Sequence, residues 1–154
     1  MSETQEIKMF NTKGILPKYS TPGSAGMDIE LIEDLVWESN GQEWVTVVDT
    51  GLYMVIPERH VIKIFPRSGY GFRLGMKLIN TVGIIDSDYR GEIKIKLVIS
   101  RKYNYSDLPK TKGTKIAQMI LEEVPEVKIK ECSLEDIKNY GTERGDGGFG
   151  STGK

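Results

Sequence analysis

The chain has 154 residues, which fits one domain of roughly 100–200 residues. Its 21 basic and 22 acidic residues leave a net charge of −1, so the whole chain offers no electrostatic case for nucleic acid or an anionic membrane as partner. One Cys and one His exclude an internal disulfide, a Cys-based zinc site and a multi-histidine metal cluster.

Residues 1–10 are polar where a signal peptide needs an apolar run, and no stretch approaches the ~18 apolar residues of a membrane span. The expectation is a soluble protein of a reducing compartment: the cytoplasm, or the nucleus as well in a eukaryote. Residues 24–29 read as a small-residue bend with one carboxylate, Asp28. Residues 38–42 read as a polar turn. Residues 45–48 and 53–56 read as strands around the Asp49-Thr50-Gly51 break. Residues 61–65 form another, stopped by Pro66. Residues 68–76 suit a short helix despite three glycines. Residues 92–97 alternate cleanly, with lysines on one face and Ile99 continuing the other. Residues 115–124 and 127–131 read as two more strands with Pro125 between them. Ser133 opens a capping-box-like helix start over 133–137. From Tyr140 the apolar periodicity stops, so residues 1–140 are expected to form the domain and 141–154 a flexible arm.

Short strands with turn signals and no alternating long helices argue an all-β sandwich or barrel over a parallel α/β sheet. Such a small β domain must cover its edge strands, which oligomerisation would do.

Glycine is in surplus: 17 of 154, about 11% against a usual ~7%. Six lie in the last fourteen residues. There Gly148 to Lys154 matches the opening of a G-x-x-x-x-G-K phosphate loop, but the final Ser/Thr and the following helix are missing. Glycine backbone can still approach a polyanion closely. Ser151, Thr152 and Arg144 add donors, and Phe149 is a ring suited to stacking on a flat ligand. Composition alone equally allows a plain Gly-rich tail.

In residues 83–92, Asp86 follows Ile84 and Ile85. Desolvation there would raise its pKa and suit a general base, although Asp, Ser and Gly are also ordinary turn residues. Arg67 and Ser68 follow Pro66 and offer a guanidinium, a hydroxyl and backbone N–H groups to an anion, or make a plain strand exit. Gln118 is a lone polar residue in an apolar strand, either a site residue or surface-facing. Cys132 and His60 lack partners for covalent catalysis. Water activated by carboxylates with a divalent cation is the chemistry this inventory can build.

These segments, in this order, resemble the five motifs of the trimeric deoxyuridine triphosphatase (dUTPase) family: residues 24–29, 66–69, 80–92, 113–120 and 144–153. The ordered set spans nearly the whole chain and is specific. The resemblance implies a jelly-roll-like β fold, barrel or sandwich, with one or two short helices. It implies a homotrimer that hydrolyses dUTP to dUMP and pyrophosphate with Mg²⁺, lowering dUTP and supplying dUMP for dTMP synthesis. Its sites would be shared between subunits and closed by the tail.

By position, Asp86 matches the carboxylate that activates water at the α-phosphate, and Tyr89 the ring that leaves no room for a 2′-hydroxyl. Asn80, Gly83, Ile84, Ile85 and Lys94 match the hairpin that reads uracil. Arg67, Ser68, Gly69 and Gln118 match phosphate contacts, and Asp28 a carboxylate that meets the metal through water. Arg144, Gly150, Ser151 and Thr152 match γ-phosphate contacts, and Phe149 the ring stacked on uracil.

Tyr70, Phe72, Lys115 (usually Arg) and the aromatic stretch 37–44 depart from the family pattern. A dCTP deaminase would need a different hairpin and a catalytic Glu. A purely nucleotide-sensing role would not require every catalytic-type residue. A regulatory protein partner is compatible but not indicated, and neither nucleic acid nor membrane is expected as a partner.

Overall fold

The clean alternation of the sequence becomes the framework of two packed sheets. The computed structural model describes residues 5–148. In chain order the strands are β1 (Lys8–Asn11), β2 (Lys18–Tyr19), β3 (Met27–Glu30), β4 (Glu38–Ser39), β5 (Glu43–Asp49), β6 (Leu52–Val55) and β7 (His60–Pro66). After helix α1 (Ser68–Leu74) come β8 (Lys77–Leu78), β9 (Gly83–Ile85), β10 (Lys94–Ser100) and β11 (Lys115–Glu123), then helix α2 (Leu134–Asn139).

A four-stranded sheet runs β4-β5-β10-β8 and a five-stranded sheet runs β2-β3-β11-β7-β9, with β1-β6 as a separate pair. In β10, Ile95, Leu97 and Ile99 point inward and Lys94 and Lys96 outward. Its antiparallel register sets Ile95 opposite Val48 and Leu97 opposite Thr46. The five-stranded sheet adds Ile29, Ile62, Ile64 and Met119 to the same core. The result is the mostly β, jelly-roll-like fold read from the sequence, and of the two forms expected, barrel or sandwich, the sheets do not close into a barrel.

Several local expectations change. Residues 24–29 are only partly a bend, because Met27–Glu30 pairs with β11 and buries Ile29. Glu38–Ser39 pairs with Trp44 and Val45, so the polar turn is the tip of a hairpin. Helix α1 ends two residues early. Gly75 adopts φ +60°, and the N–H groups of Gly75 and Met76 close back on the carbonyls of Gly71 and Tyr70. Residues 127–131 are not a strand: they carry the alternation but find no pairing edge among the described residues, and Val127 and Ile129 are exposed. All of Glu123–Asp146 is exposed.

The aromatic stretch is a staple. Trp37 is 2% exposed and donates its Nε1–H to Pro109 O at 2.8 Å. Trp44 donates to Tyr103 O at 2.9 Å and lies under the Arg101 guanidinium. Together they pin the loop after β10 to the β4–β5 hairpin.

Candidate active site

The chain's chemistry gathers in two places, separated by the length of β7. The first is the crossover from β9 to β10. The sequence suggests one hairpin here, but β9 pairs with β7 in the five-stranded sheet while β10 pairs with β5 and β8 in the other. Residues 86–93 therefore bridge the two sheets. They border a cleft of ≈ 290 Å³ lined by Ile84, Ile85, Asp86, Tyr89, Glu92, Ile93 and Lys94.

The Tyr89 hydroxyl donates to Glu92 O at 3.0 Å, folding its ring over Gly91. A Cβ at Gly91 would clash with that hydroxyl, so glycine lets the ring lie here and a larger residue would push it aside. The base of the crossover is fastened from behind. Thr50, 1% exposed, donates to Ile93 O at 2.6 Å, and its own carbonyl accepts from the Asn11 amide at 2.9 Å. Gly51 N–H donates to the Glu92 carboxylate at 2.9 Å. Lys94 bonds Asp49 at 2.5 Å, and that bond is the main cause of its raised pKa. Thr50 and Asn11 escaped the sequence reading because each looks like an ordinary turn residue.

Asp86 sits on the rim of this cleft and also borders a wider hollow of ≈ 720 Å³ along the ends of β7 and β11. The expected desolvation is not found: Asp86 is exposed, because Ile84 is exposed beside it and Ile85 only half-buried. Asn80 is exposed in the turn between β8 and β9.

The second place is a pocket of ≈ 230 Å³ where β3, β11 and the end of β7 converge. Ser20, Ser24, Gly26, Asp28, Arg67, Ser68 and Gln118 line it. It unites the first, second and fourth motifs. The Gln118 amide donates to Pro66 O at 3.2 Å, so this half-buried side chain is satisfied.

Asp28 is 7% exposed. Its Oδ1 lies 3.0 Å from Arg67 Nε, and its Oδ2 lies 3.0 Å from Lys115 Nζ and accepts from Ser20 Oγ at 2.6 Å. Burial pushes its pKa up, but the bonds from Ser20 and Lys115 and the charges of Arg67 and Lys115 win and hold it below the ordinary 3.8. Ser20 is a member the sequence reading missed; it meets Lys115 across 95 residues of sequence, at 2.8 Å.

No group of three His, Cys, Asp or Glu side chains able to hold a metal occurs among the described residues. A carboxylate has about four lone-pair directions, and three partners crowd the oxygens of Asp28. This donor set fits a metal that meets Asp28 through a water and takes its main ligands from elsewhere.

Of the tail residues, Arg144 is exposed and donates Nε–H to Gly147 O at 2.7 Å. Phe149, Gly150, Ser151 and Thr152 lie outside the described residues.

From Ile62, opposite Ile85, to Pro66 and Arg67, the chain runs along β7 away from the crossover. Asp86 follows Ile85 just beyond that pairing and borders the same hollow as Val61. Six strand steps of about 3.3 Å put its backbone roughly 20 Å from that of Arg67.

Known proteins share this sequence pattern and this fold. Residues 12–153 match the dUTPase family model. The deoxyuridine 5′-triphosphate nucleotidohydrolase of Finegoldia magna is 42% identical over 149 residues, covering 96% of this chain and 99% of its own. That of Nautilia profundicola is 39% identical over 149 residues, covering 97% and 98%. Among solved structures, a point mutant of the Staphylococcus bacteriophage 80alpha dUTPase with dUpNHpp aligns at TM-score 0.74 and 22% identity, covering 98% of this chain and 100% of that one. A dUTPase from phage phi11 of S. aureus, described as coordinating a structural Mg(II) ion, aligns at TM-score 0.67 and 20% identity, covering 83% and 97%. With one family's motifs in order, its fold, and relatives matched along nearly their full length, this chain belongs to the dUTPase family.

Proposed function

We propose that the protein hydrolyses dUTP to dUMP and pyrophosphate, as a homotrimer whose sites combine residues of different subunits. The observation that carries this reading is the division of labour between two pockets. One holds Asp86 and the backbone donors and acceptors of a base-reading crossover, and the other is cationic. A base must stand within hydrogen-bond reach of its water, and Arg67 must touch the phosphates of the same nucleotide. A backbone separation of roughly 20 Å along β7 argues for two chains sharing the work.

In this reading uracil enters the crossover cleft. Backbone at Gly83, Ile84, Ile85 and Lys94, with Asn80, reads its polar edge, and the mismatched edge of cytosine is rejected because buried polar groups would be left unpaired. Tyr89, pinned over Gly91, packs on the sugar and leaves no room for a 2′-hydroxyl. Asp86 orients a water at the α-phosphorus. The water oxygen bonds to phosphorus, its proton passes to Asp86, the bridging bond to the β-phosphate breaks, and pyrophosphate leaves.

Arg67, Ser68, Gly69 and Gln118 bind phosphate oxygens from a second subunit. The tail of a third closes the site: Arg144, Gly150, Ser151 and Thr152 meet the γ-phosphate and Phe149 stacks on uracil. This closure supplies the desolvation that Asp86 lacks in the single chain. A Mg²⁺ ion bound to the triphosphate would neutralise its oxygens, with Asp28 touching it through water. The test is pyrophosphate release from dUTP, dCTP, dTTP and UTP, with and without Mg²⁺. Release from dUTP alone is expected, and ammonia from dCTP or equal rates on all four would overturn the reading.

A further inference from the structure

We propose that Asp28 is a positioning residue that sets the phosphate-binding fork of Arg67, and that Ser20 and Lys115 complete the device. The inference deepens the hydrolase reading and rests on it for the identity of the nucleotide. A carboxylate that served chiefly to hold a metal would present its oxygens to the pocket. Asp28 instead has both oxygens turned onto protein partners. Arg67 meets it through Nε, at 3.0 Å, so the ion pair engages the stem side of the guanidinium rather than its Nη prongs, the groups suited to a phosphate. Lys115 comes in on the other oxygen at 3.0 Å and is fixed a second time by Ser20 Oγ at 2.8 Å. The Ser20 hydroxyl donates its own hydrogen bond to Asp28 Oδ2 at 2.6 Å. The four side chains therefore form one chain of contacts, Arg67–Asp28–Ser20–Lys115, with Asp28 closing a triangle to Lys115.

Four backbone elements meet in this chain. Ser20 follows edge strand β2, Asp28 lies on β3, and Lys115 starts β11, while Arg67 leaves β7. The pairing of Lys18 with Asp28, and of Asp28 with Gln118, holds the carriers in register. The cations stand at the mouth, with side chains more than one-third exposed, and Asp28 stands beneath them at 9%. An anion so placed cannot bind triphosphate, since it would repel it. Its physical use is to hold two mutually repelling cations at a fixed spacing until an anionic ligand arrives. Lysine at 115 suits this use, because a single ammonium can sit between Asp28 and Ser20, whereas a planar guanidinium would need two acceptors in one plane.

The test separates positioning from metal contact. For Asp28→Asn and Ser20→Ala, the measurements are affinity for the uncleavable dUpNHpp with and without Mg²⁺, affinity for dUMP, and the Mg²⁺ concentration for half-maximal turnover of dUTP. The expected result for Asp28→Asn is a loss of roughly 10- to 100-fold in dUpNHpp affinity, in metal and without it, because a hydrogen bond to a charged group is lost. Binding of dUMP should stay near wild type, and the Mg²⁺ midpoint should move far less than the dUpNHpp affinity, because Asp28 meets the metal only through water. Ser20→Ala, at an exposed position, should lose roughly three- to tenfold in dUpNHpp affinity. If Asp28→Asn does not fold, Ser20→Ala decides alone. A raised Mg²⁺ midpoint with unchanged metal-free dUpNHpp affinity overturns the proposal, and so does Ser20→Ala binding as wild type. The wild-type control keeps the two ideas apart: failure to release pyrophosphate from dUTP sinks the hydrolase reading, whereas normal turnover with indifferent variants sinks only the positioning role.

Discussion

Asp86 and Asp28 show how one residue type takes two fates within one chain. Asp86 is exposed at the cleft rim, while Asp28 is buried between two cations. Asp86→Asn removes the proton acceptor but keeps the side chain's shape. Turnover of dUTP should fall by about 10²–10⁴-fold, the range of general-base assistance, while dUpNHpp affinity stays within a few-fold. Near-normal turnover in a pyrophosphate assay would remove Asp86 from its role. Asp28 carries a pH signature. Its folded pKa lies below 3.8, so the stability it contributes is fully present above that value and drains away as pH falls through the folded pKa. In thermal melts, the advantage of wild type over Asp28→Asn should be constant from pH 7 down to about 5 and should shrink below the ordinary carboxylate range. A constant difference down to pH 2 would contradict the lowered pKa. The sequence pointed to both carboxylates, but their surroundings were not legible, because burial and ion pairing come from strands distant in sequence.

At the scale of elements, the long alternating strands were the readable ones. β5, β7, β10 and β11 follow their apolar patterns closely because half of each strand faces a shared core. Strands β2, β4, β8 and β9 have two or three residues each, too few for a pattern. Residues 127–131 fail the other way, since alternation shows what a strand would bury and not whether an edge is near. Val127, Ile129, Leu134, Ile137 and Tyr140 are left exposed. Each forgoes about 1.5–3 kcal/mol of apolar burial, and α2 has only six residues, too short to stand alone. Trp37 has a clearer role. Trp37→Ala empties a buried site and strands the Pro109 carbonyl, so it should cost about 3–5 kcal/mol. Denaturant unfolding measures that, and a loss below 1 kcal/mol would refute the staple. The stretch 37–44 departs from the family pattern for a packing reason, and the signal available in sequence was two tryptophans seven apart.

The whole molecule poses the question that no single residue or strand answers: where the two half-sites meet. If each site takes Asp86 from one subunit and Arg67 from another, two inactive variants should rescue each other. Arg67→Ala and Asp86→Asn subunits, unfolded together and reassembled in equal amounts, should regain about a quarter of wild-type activity, since random assembly pairs the intact halves at one site in four. Light scattering should give about three times the 17.3 kDa chain mass. No recovery on mixing, or an active monomer, would refute shared sites. Removal of residues 144–154 should lower activity without changing the mass of the assembly beyond the residues lost, and full activity without them would strip the tail of its role.

The sequence alone determined the fold class and the family, because alternating strands and five ordered motifs are local patterns that survive in a linear text. It also split the glycine surplus into motif turns and a tail. The tertiary structure decided what depends on contacts between distant segments. It split residues 83–99 between two sheets, fastened Ile93 to Thr50 and Asn11, turned both oxygens of Asp28 onto Arg67, Lys115 and Ser20, and left Asp86 in solvent. It also set Asp86 and Arg67 at opposite ends of β7. A strand is a rigid spacer of about 3.3 Å per residue, so that distance is fixed once the pairing register is known, and register is a property of neighbours that no single stretch of sequence carries.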